Sequence, residues 1–590
     1  MDFDKRTIFA FVLIGLILIL INTGFYQKIV DPKGYEQRQL QRTQRVEQGA
    51  VEPRGPAIQP RESSPAIENS DQDFSPVKKT PGIEVPDSLG EKKITIQTSL
   101  YKATMTSKGA TILQWSLLNY LGTDKEPVEL FTENSYNNLV VGFNTKAGDS
   151  LTTGDYHFMV DSPEEIKLSA QQEFVLKFTL PLGENREIEK IYTFRDGTYD
   201  VSLLINFKNL NQLIDDKQYY LLAPNGLAST EKNMKDEMTY TKAGTSAGGE
   251  TKKDYKADDK AKKVAADLDW VAVRNKYFAF YILPRNRNSQ YAEILGTQIA
   301  QNRTDKVKWK KYSLKLAMPF LGESNVKDEY TLFIGPMEYG LLKSYKKDMQ
   351  DFLDMGAKII KPFSIAILIT FKWMHTFISN YGVILLIFSL LIKVLTYPLT
   401  LKSYESMQKM QTLQPKLKEL QDKYRSDPQK LNQMTMTLYK EQGVNPMGGC
   451  LPMLLQMPLL FGLFIVFRTT IDLRGQGFIW WINDLSAPDT IFTFPGNFAL
   501  PIYGNTVNIL PILMGVTMFI QQKMSITDPK QKFMIYFMPI FFTLLFNSFP
   551  SGLNLYYALF NILSIVQQKY LTPKKPETAL ATTSKRKRRI

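Results

Sequence analysis

Apolar and polar positions follow three different rhythms along this chain. Long unbroken apolar runs stand at its start, Ile8 to Tyr26, and again at Tyr381 to Leu399, Leu451 to Phe467, Asn508 to Gln522, Met534 to Phe549 and Gly552 to Tyr570. Runs of this length predict six membrane-crossing helices. The first follows Lys5 and Arg6 and lacks a small-x-small cleavage site, so it reads as an uncleaved signal anchor, residues 1–30. Between the first and second runs lies a large polar region.

In that region the period becomes two. Ile94, Ile96 and Thr98, then Tyr101, Ala103 and Met105, alternate before a Ser107-Lys108-Gly109 turn. Phe174, Leu176, Phe178 and Leu180 repeat the pattern, and Tyr192 and Phe194 lead through Arg195-Asp196-Gly197 into Val201, Leu203, Ile205 and Phe207. Alternation broken by turn residues predicts hairpins, and residues 92–345 as a whole a large antiparallel β-sandwich. Gly244 to Lys263, rich in Gly, Lys and Asp, is expected to be a mobile loop. Residues 31–91, rich in Pro, Gln, Arg and Glu, read as a flexible tether.

The third rhythm is a three-and-four spacing. Met407, Met410, Leu413, Leu417, Leu420 and Tyr424 follow it, and after Ser426-Asp427-Pro428 it resumes at Leu431, Met434 and Leu438. Asp427 suits an N-cap and Pro428 a first helical residue, so residues 401–442 predict two antiparallel helices joined by a tight turn. Met407, Met410 and Met434 belong to the seam between them, with a share available to apolar partners. Pro362 to Ile378 is apolar but interrupted by Lys372, Trp373 and His375, and residues 346–380 read as a linker and interfacial helix.

Charge then orients the chain. Of the net +14 over 590 residues, many cations crowd the loop after the second run, from Lys402 to Lys440, and the end of the chain, from Lys574 to Arg589. Lysine and arginine near span ends prefer the cytoplasm, which places both termini inside and the β-rich region outside. The tail, residues 572–590, ends in Lys585, Arg586, Lys587, Arg588 and Arg589, a cluster suited to ribosomal RNA or anionic lipid.

Lys393 sits inside the run from Tyr381 to Thr400, and no acidic residue occurs in any membrane-length segment. An uncompensated cation there costs about 3 kcal/mol, which points to a functional site; snorkelling of the long stem to the headgroups is the bland alternative. On this segment alone the two stand level. Catalysis in the outer region is disfavoured. His157 falls on a strand-like stretch and reads as structural, and no convergent acid and base stand out. Cys450 is the single cysteine, which excludes an intrachain disulfide, and no Walker-type loop is present. No metal or other cofactor is expected.

YPLTLKSYESMQKMQTLQPKLKELQDKY, TLYKEQGVNPMGGCLPMLLQMPLLFGLF, LPILMGVTMFIQQKM and FPSGLNLYYALFNILSIVQQ resemble the YidC family of membrane protein insertases of Gram-negative bacteria, which has mitochondrial and chloroplast relatives. The likeness is dense from Tyr381 to Tyr570. It implies a multi-pass inner-membrane protein with a signal anchor, a five-helix core at 381–571 around a hydrated groove open to cytoplasm and lipid, and a periplasmic β-supersandwich. The family carries a groove arginine four residues before the Tyr-Pro of the second span, where Lys393 stands here. Guanidinium keeps its charge almost unconditionally, so the substitution makes groove hydration matter more. Ser389, Leu460, Tyr556 and Tyr557 fall on family groove positions. Gln456, Asn554 and Asn561 are polar residues at membrane depth, equally suited to helix packing.

The resemblance implies an insertase and chaperone acting without catalysis, as a monomer in the lipid bilayer. Its partners would be nascent integral membrane proteins, the Sec translocon and the ribosome, the last through the basic tail. A solute transporter or an envelope assembly scaffold is the alternative. Ion coupling usually needs membrane carboxylates, which these spans lack, and a scaffold would tolerate loss of Lys393.

Overall fold

The computed structural model describes residues 90–571 apart from residues 123, 134–136, 184, 216, 266, 300–307, 445–450, 496–502 and 526–531. The signal anchor, nearly all of the tether, Cys450 and the basic tail fall outside the described residues. The chain divides into two compact units, one ending at Asp354 and one resuming at Met355.

The first unit is built on an eight-stranded sheet. Its strands run in the order Glu250–Lys252, Lys242–Ala247, Trp270–Arg274, Phe278–Pro284, Asn325–Pro336, Asp200–Lys208, Glu187–Arg195 and Glu173–Pro181. Antiparallel register pairs Leu203 with both Tyr192 and Tyr330, and Ile205 with both Lys190 and Asp328, so these side chains share one face. Two further sheets cover that face. Phe131, from a five-stranded sheet, meets Phe280 edge to face at 5.3 Å, and Tyr219, from a six-stranded sheet, lies 4.5 Å from Phe207. The opposite face, with Tyr281 and Phe333, is closed by the segment from Tyr345 to Phe352 rather than by a sheet. Trp270 Nε1 donates to Lys347 O, Tyr281 Oη to Met349 O and Arg274 Nη1 to Phe352 O, at 2.8, 3.0 and 2.9 Å.

The period-two segments form strands at the places the alternation indicated, and Gly109 takes the positive φ that its turn needs. Three features depart from the sequence reading. The sheets are not wholly antiparallel, because Lys93–Gln97 pairs in parallel with Glu165–Lys167. Gly244 to Lys263 is a loop only at residues 253–260; its two ends contribute strands to two sheets, and Gly244 is small because a Cβ there would lie 2.5 Å from the Phe352 ring. Two short helices, α1 (Met234–Tyr240) and α2 (Tyr339–Ser344), flank strands.

The second unit is helical. α3 (Lys361–His375) buries Ile367, Leu368, Phe371 and Met374 and leaves Trp373 exposed. α4 (Tyr381–Thr412) is capped by Asn380, whose Oδ1 accepts from Gly382 N and Val383 N at 2.8 and 3.1 Å. At about 1.5 Å per residue its 32 residues outrun a hydrocarbon core of about 30 Å, so the expected hairpin's first arm begins as a continuation of this helix. The chain breaks only at Leu413, ahead of Pro415, before α5 (Gln414–Lys423). α6 (Pro428–Glu441) starts as read, with Asp427 Oδ1 accepting from Lys430 N at 3.0 Å. Leu413, Leu417 and Val444 form the hairpin's core with Met410, Leu438 and Tyr439.

α7 (Leu451–Thr469), α8 (Ile509–Ser525), α9 (Lys532–Phe546) and α10 (Ser551–Val566) complete the unit. Among the described residues, α4 alone is long and apolar enough to cross a membrane by length and composition; Gln456–Thr469 and Phe533–Phe546 are shorter apolar stretches. Glycines let α10 approach α7 and let the loop after α7 approach α4. A Cβ on Gly552 would lie 2.3 Å from the Phe467 ring, and one on Gly382 2.0 Å from Phe478.

Candidate functional site

Two helical faces meet where Lys393 stands. A spacing of four places Ser389 and Lys393 on one face of α4, and the same spacing places Tyr556, Phe560 and Ser564 on one face of α10. Lys393 is only 8% exposed. Its ammonium donates to Ser564 Oγ at 2.5 Å and lies 3.5 Å from the centroid of the Phe560 ring. Ser564 Oγ in turn donates to Phe560 O at 2.7 Å, so the hydroxyl oxygen is turned to receive the ammonium. Among the described residues these are its partners, a hydroxyl and an aromatic face with no carboxylate. The side chain therefore points into the bundle, not along the outside of α4 toward headgroups.

The other sequence-derived residues divide around this centre. Ser389 is fully buried, and its hydroxyl proton is committed to Leu385 O at 2.7 Å on its own helix. Tyr556 is fully buried on the Lys393 side, between Phe388 at 6.3 Å and Phe560 at 5.8 Å. Gln456 is half-buried on α7, and no hydrogen bond joins it to the Tyr556 hydroxyl. Tyr557 meets Tyr556 edge to face at 5.7 Å and also sets its ring edge to face on Phe546 of α9 at 5.6 Å, so the paired tyrosines touch each other while Tyr557 reaches a further helix. Leu460 is half-buried on α7.

Asn554 and Asn561 resolve as packing groups. Asn554 Nδ2 donates to Phe546 O at the end of α9 at 3.2 Å, and Asn561 Nδ2 to Thr517 Oγ1 of α8 at 3.3 Å. Sequence reasoning missed Phe560 and Ser564, although they follow Tyr556 in two successive steps of four that carried the signal. In the hairpin Met410 joins the apolar core, Met407 and Met434 are half-buried, and Met436, not singled out from the sequence, is 60% exposed. Lys585, Arg586, Lys587, Arg588 and Arg589 lie outside the described residues.

Comparison with known proteins fits both units. The family described as YidC periplasmic domain matches residues 93–365, and the 60Kd inner membrane protein family matches residues 373–578. Membrane protein insertase YidC of Chlorobium phaeovibrioides is 36% identical over 542 residues, covering 89% of this chain and 92% of the relative. That of Chloroherpeton thalassium is 34% identical over 580 residues, 96% and 95% of the two chains. A crystal structure of active YidC insertase with its first transmembrane domain resolved covers 83% of this chain and 95% of its own, at 17% identity and a TM-score of 0.36. The two family matches and the long curated relatives agree from the first sheet to the last helix, and the chain belongs to the YidC family of membrane protein insertases, inner-membrane proteins with a periplasmic domain.

Proposed function

We propose that the helical unit lowers the cost of moving a client's polar segment across the membrane by offering it Lys393 in a hydrated groove. The observation that carries this reading is the bonding of the ammonium to neutral groups alone, Ser564 and the Phe560 ring. A buried cation without a carboxylate partner keeps electrostatic capacity for an incoming acidic group, which a paired lysine has spent. The groove would be walled by Ser389, Gln456, Leu460 and Tyr556. Tyr557 supports it from the α9 side. Transfer of the client's apolar helix to lipid then supplies the driving force, at about 25 cal/mol per Å² of apolar area.

The positive-inside pattern supports six spans with both termini cytoplasmic, which puts the Met-bearing hairpin where a nascent chain arrives. The hairpin captures the client, and the tail from Lys585 to Arg589 contacts the ribosome by counterion release, a contact that weakens with salt. Cooperation with the Sec translocon, and action as a monomer, follow from likeness to the family.

The test is insertion of a single-span client with an acidic translocated segment into liposomes carrying the wild type, Lys393→Leu or Lys393→Arg. Loss with leucine and retention with arginine, which also stacks on aromatic faces, is the expected result. Equal insertion by all three overturns the electrostatic reading.

A further inference from the structure

The turn from Phe478 to Trp481 presents an indole in a way that demands explanation. Trp480 is 82% exposed and has a φ of 52°. A bulky L-residue in the left-handed region is strained, and such strain persists only where neighbours hold it. Here they do. Phe478 N donates to Ile482 O at 2.9 Å, Ile482 N to Ile479 O at 3.1 Å, and the neighbouring indole is pinned by a 3.1 Å bond from Trp481 Nε1 to Asp489 Oδ2. The same carboxylate oxygen accepts from Leu510 N at 2.8 Å, which fixes the loop to the start of α8. Ile479 in the same turn, and Ile491 and Phe492 two and three residues beyond Asp489, are also exposed, at 43%, 52% and 52%.

The position of this turn identifies what covers it. Phe478 packs directly on Gly382, in the first turn of α4. One residue further the exposed apolar surface of that helix begins, with Val383, Leu386, Ile387 and Leu390. The turn is therefore continuous with the boundary of a lipid-facing surface, the level at which tryptophan and tyrosine collect in membrane proteins. His375 stacks on Tyr381 at 4.3 Å at the same helix end.

We propose that the Phe478–Trp481 turn and the adjoining Ile491–Phe492 edge form an interfacial anchor, with Trp480 seated in the headgroup and upper acyl region of the leaflet next to the start of α4. The partner is the lipid surface itself, so the anchor sets the height and tilt of α4, and with it the depth of Lys393, without touching a client.

The full chain is reconstituted in phosphatidylethanolamine and phosphatidylglycerol vesicles in which part of the lipid carries bromine near the headgroup end of its acyl chains. The Trp480 contribution is the difference in tryptophan emission between wild type and Trp480→Phe. We expect that difference to be blue-shifted, to lose the larger part of its intensity to brominated lipid, and to resist aqueous acrylamide. Phe492→Trp adds a second reporter that should behave alike, and it keeps the test sound should Trp480→Phe fold poorly. Both reporters quenched by acrylamide and untouched by brominated lipid would overturn the proposal and leave the patch to a protein partner.

Discussion

Lys393 and Ser564 lie 171 residues apart in the chain and meet in one hydrogen bond that joins α4 to α10. Ser564→Ala removes the oxygen that receives the ammonium while leaving the Phe560 ring in place. A lost acceptor for a buried charged group costs about 1–3 kcal/mol, so insertion of clients with acidic translocated segments should slow by roughly tenfold or more. Ser564→Thr keeps the oxygen and should keep most of the rate. Paired assays with acidic and neutral clients decide the matter, since equal loss for both would mean that the bond only braces the two helices.

Gly552 tests the packing of the helical unit. A Cβ there meets not only the Phe467 ring at 2.3 Å but the Leu485 carbonyl oxygen at 3.0 Å, and backbone does not step aside as a side-chain tip does. Gly552→Ala should destabilise the unit by about 1–3 kcal/mol, seen as a lower Tm in detergent. Gly382→Ala should do the same, and should also displace the Phe478 turn. An unchanged Tm for both would show that α10 and α4 have room that the geometry denies.

Legibility in the sequence followed the range of the interaction. Period-two alternation is local, and the strands holding Ile94, Phe178 and Leu203 were readable from it. The Asp427-Pro428 cap was equally local. Gly244 misled because its smallness answers Phe352, more than a hundred positions away, and not a need for loop flexibility. Lys393 stood out for being charged in an apolar run, whereas Ser564 is an ordinary residue made special only by the residue opposite it. The same distance explains Tyr557, which shares a motif with Tyr556 but faces a different helix.

In the β-rich unit, Lys190 clamps two strained turns together. Its buried ammonium donates to Gly109 O, Ala110 O and Leu139 O at 2.8, 3.3 and 2.7 Å, and all three acceptor residues have positive φ. Burial pushes the Lys190 ammonium down to about 7, below the ordinary lysine value. Between those two values the unfolded chain holds the proton more tightly, so stability should rise as pH rises from about 7 toward 10. Lys190→Met should flatten that slope and, by orphaning the carbonyls, cost about 1–3 kcal/mol at neutral pH. Denaturation of the full chain in detergent at several pH values, followed by the β-sheet signal, checks both; an unaltered slope in the variant would assign the pH dependence elsewhere.

The hairpin's methionines separate by what each touches, and that separates holding the hairpin together from capturing a client. Met410 packs on Leu413, Leu417 and Val444, so Met410→Ala should loosen the hairpin by about 2 kcal/mol or more and speed amide exchange along α6. Met436 has most of its surface free, and Met436→Ala should leave exchange unchanged. If the hairpin captures apolar segments, Met436→Glu should reduce crosslinking to a nascent client while insertion of a client already delivered to the bilayer continues. A defect from Met410→Ala with none from Met436→Glu would show that the hairpin's contribution is its fold alone. A defect from both, with exchange altered only in the first, places capture on the exposed face of α6 and gives the adaptable thioether a use that packing does not explain.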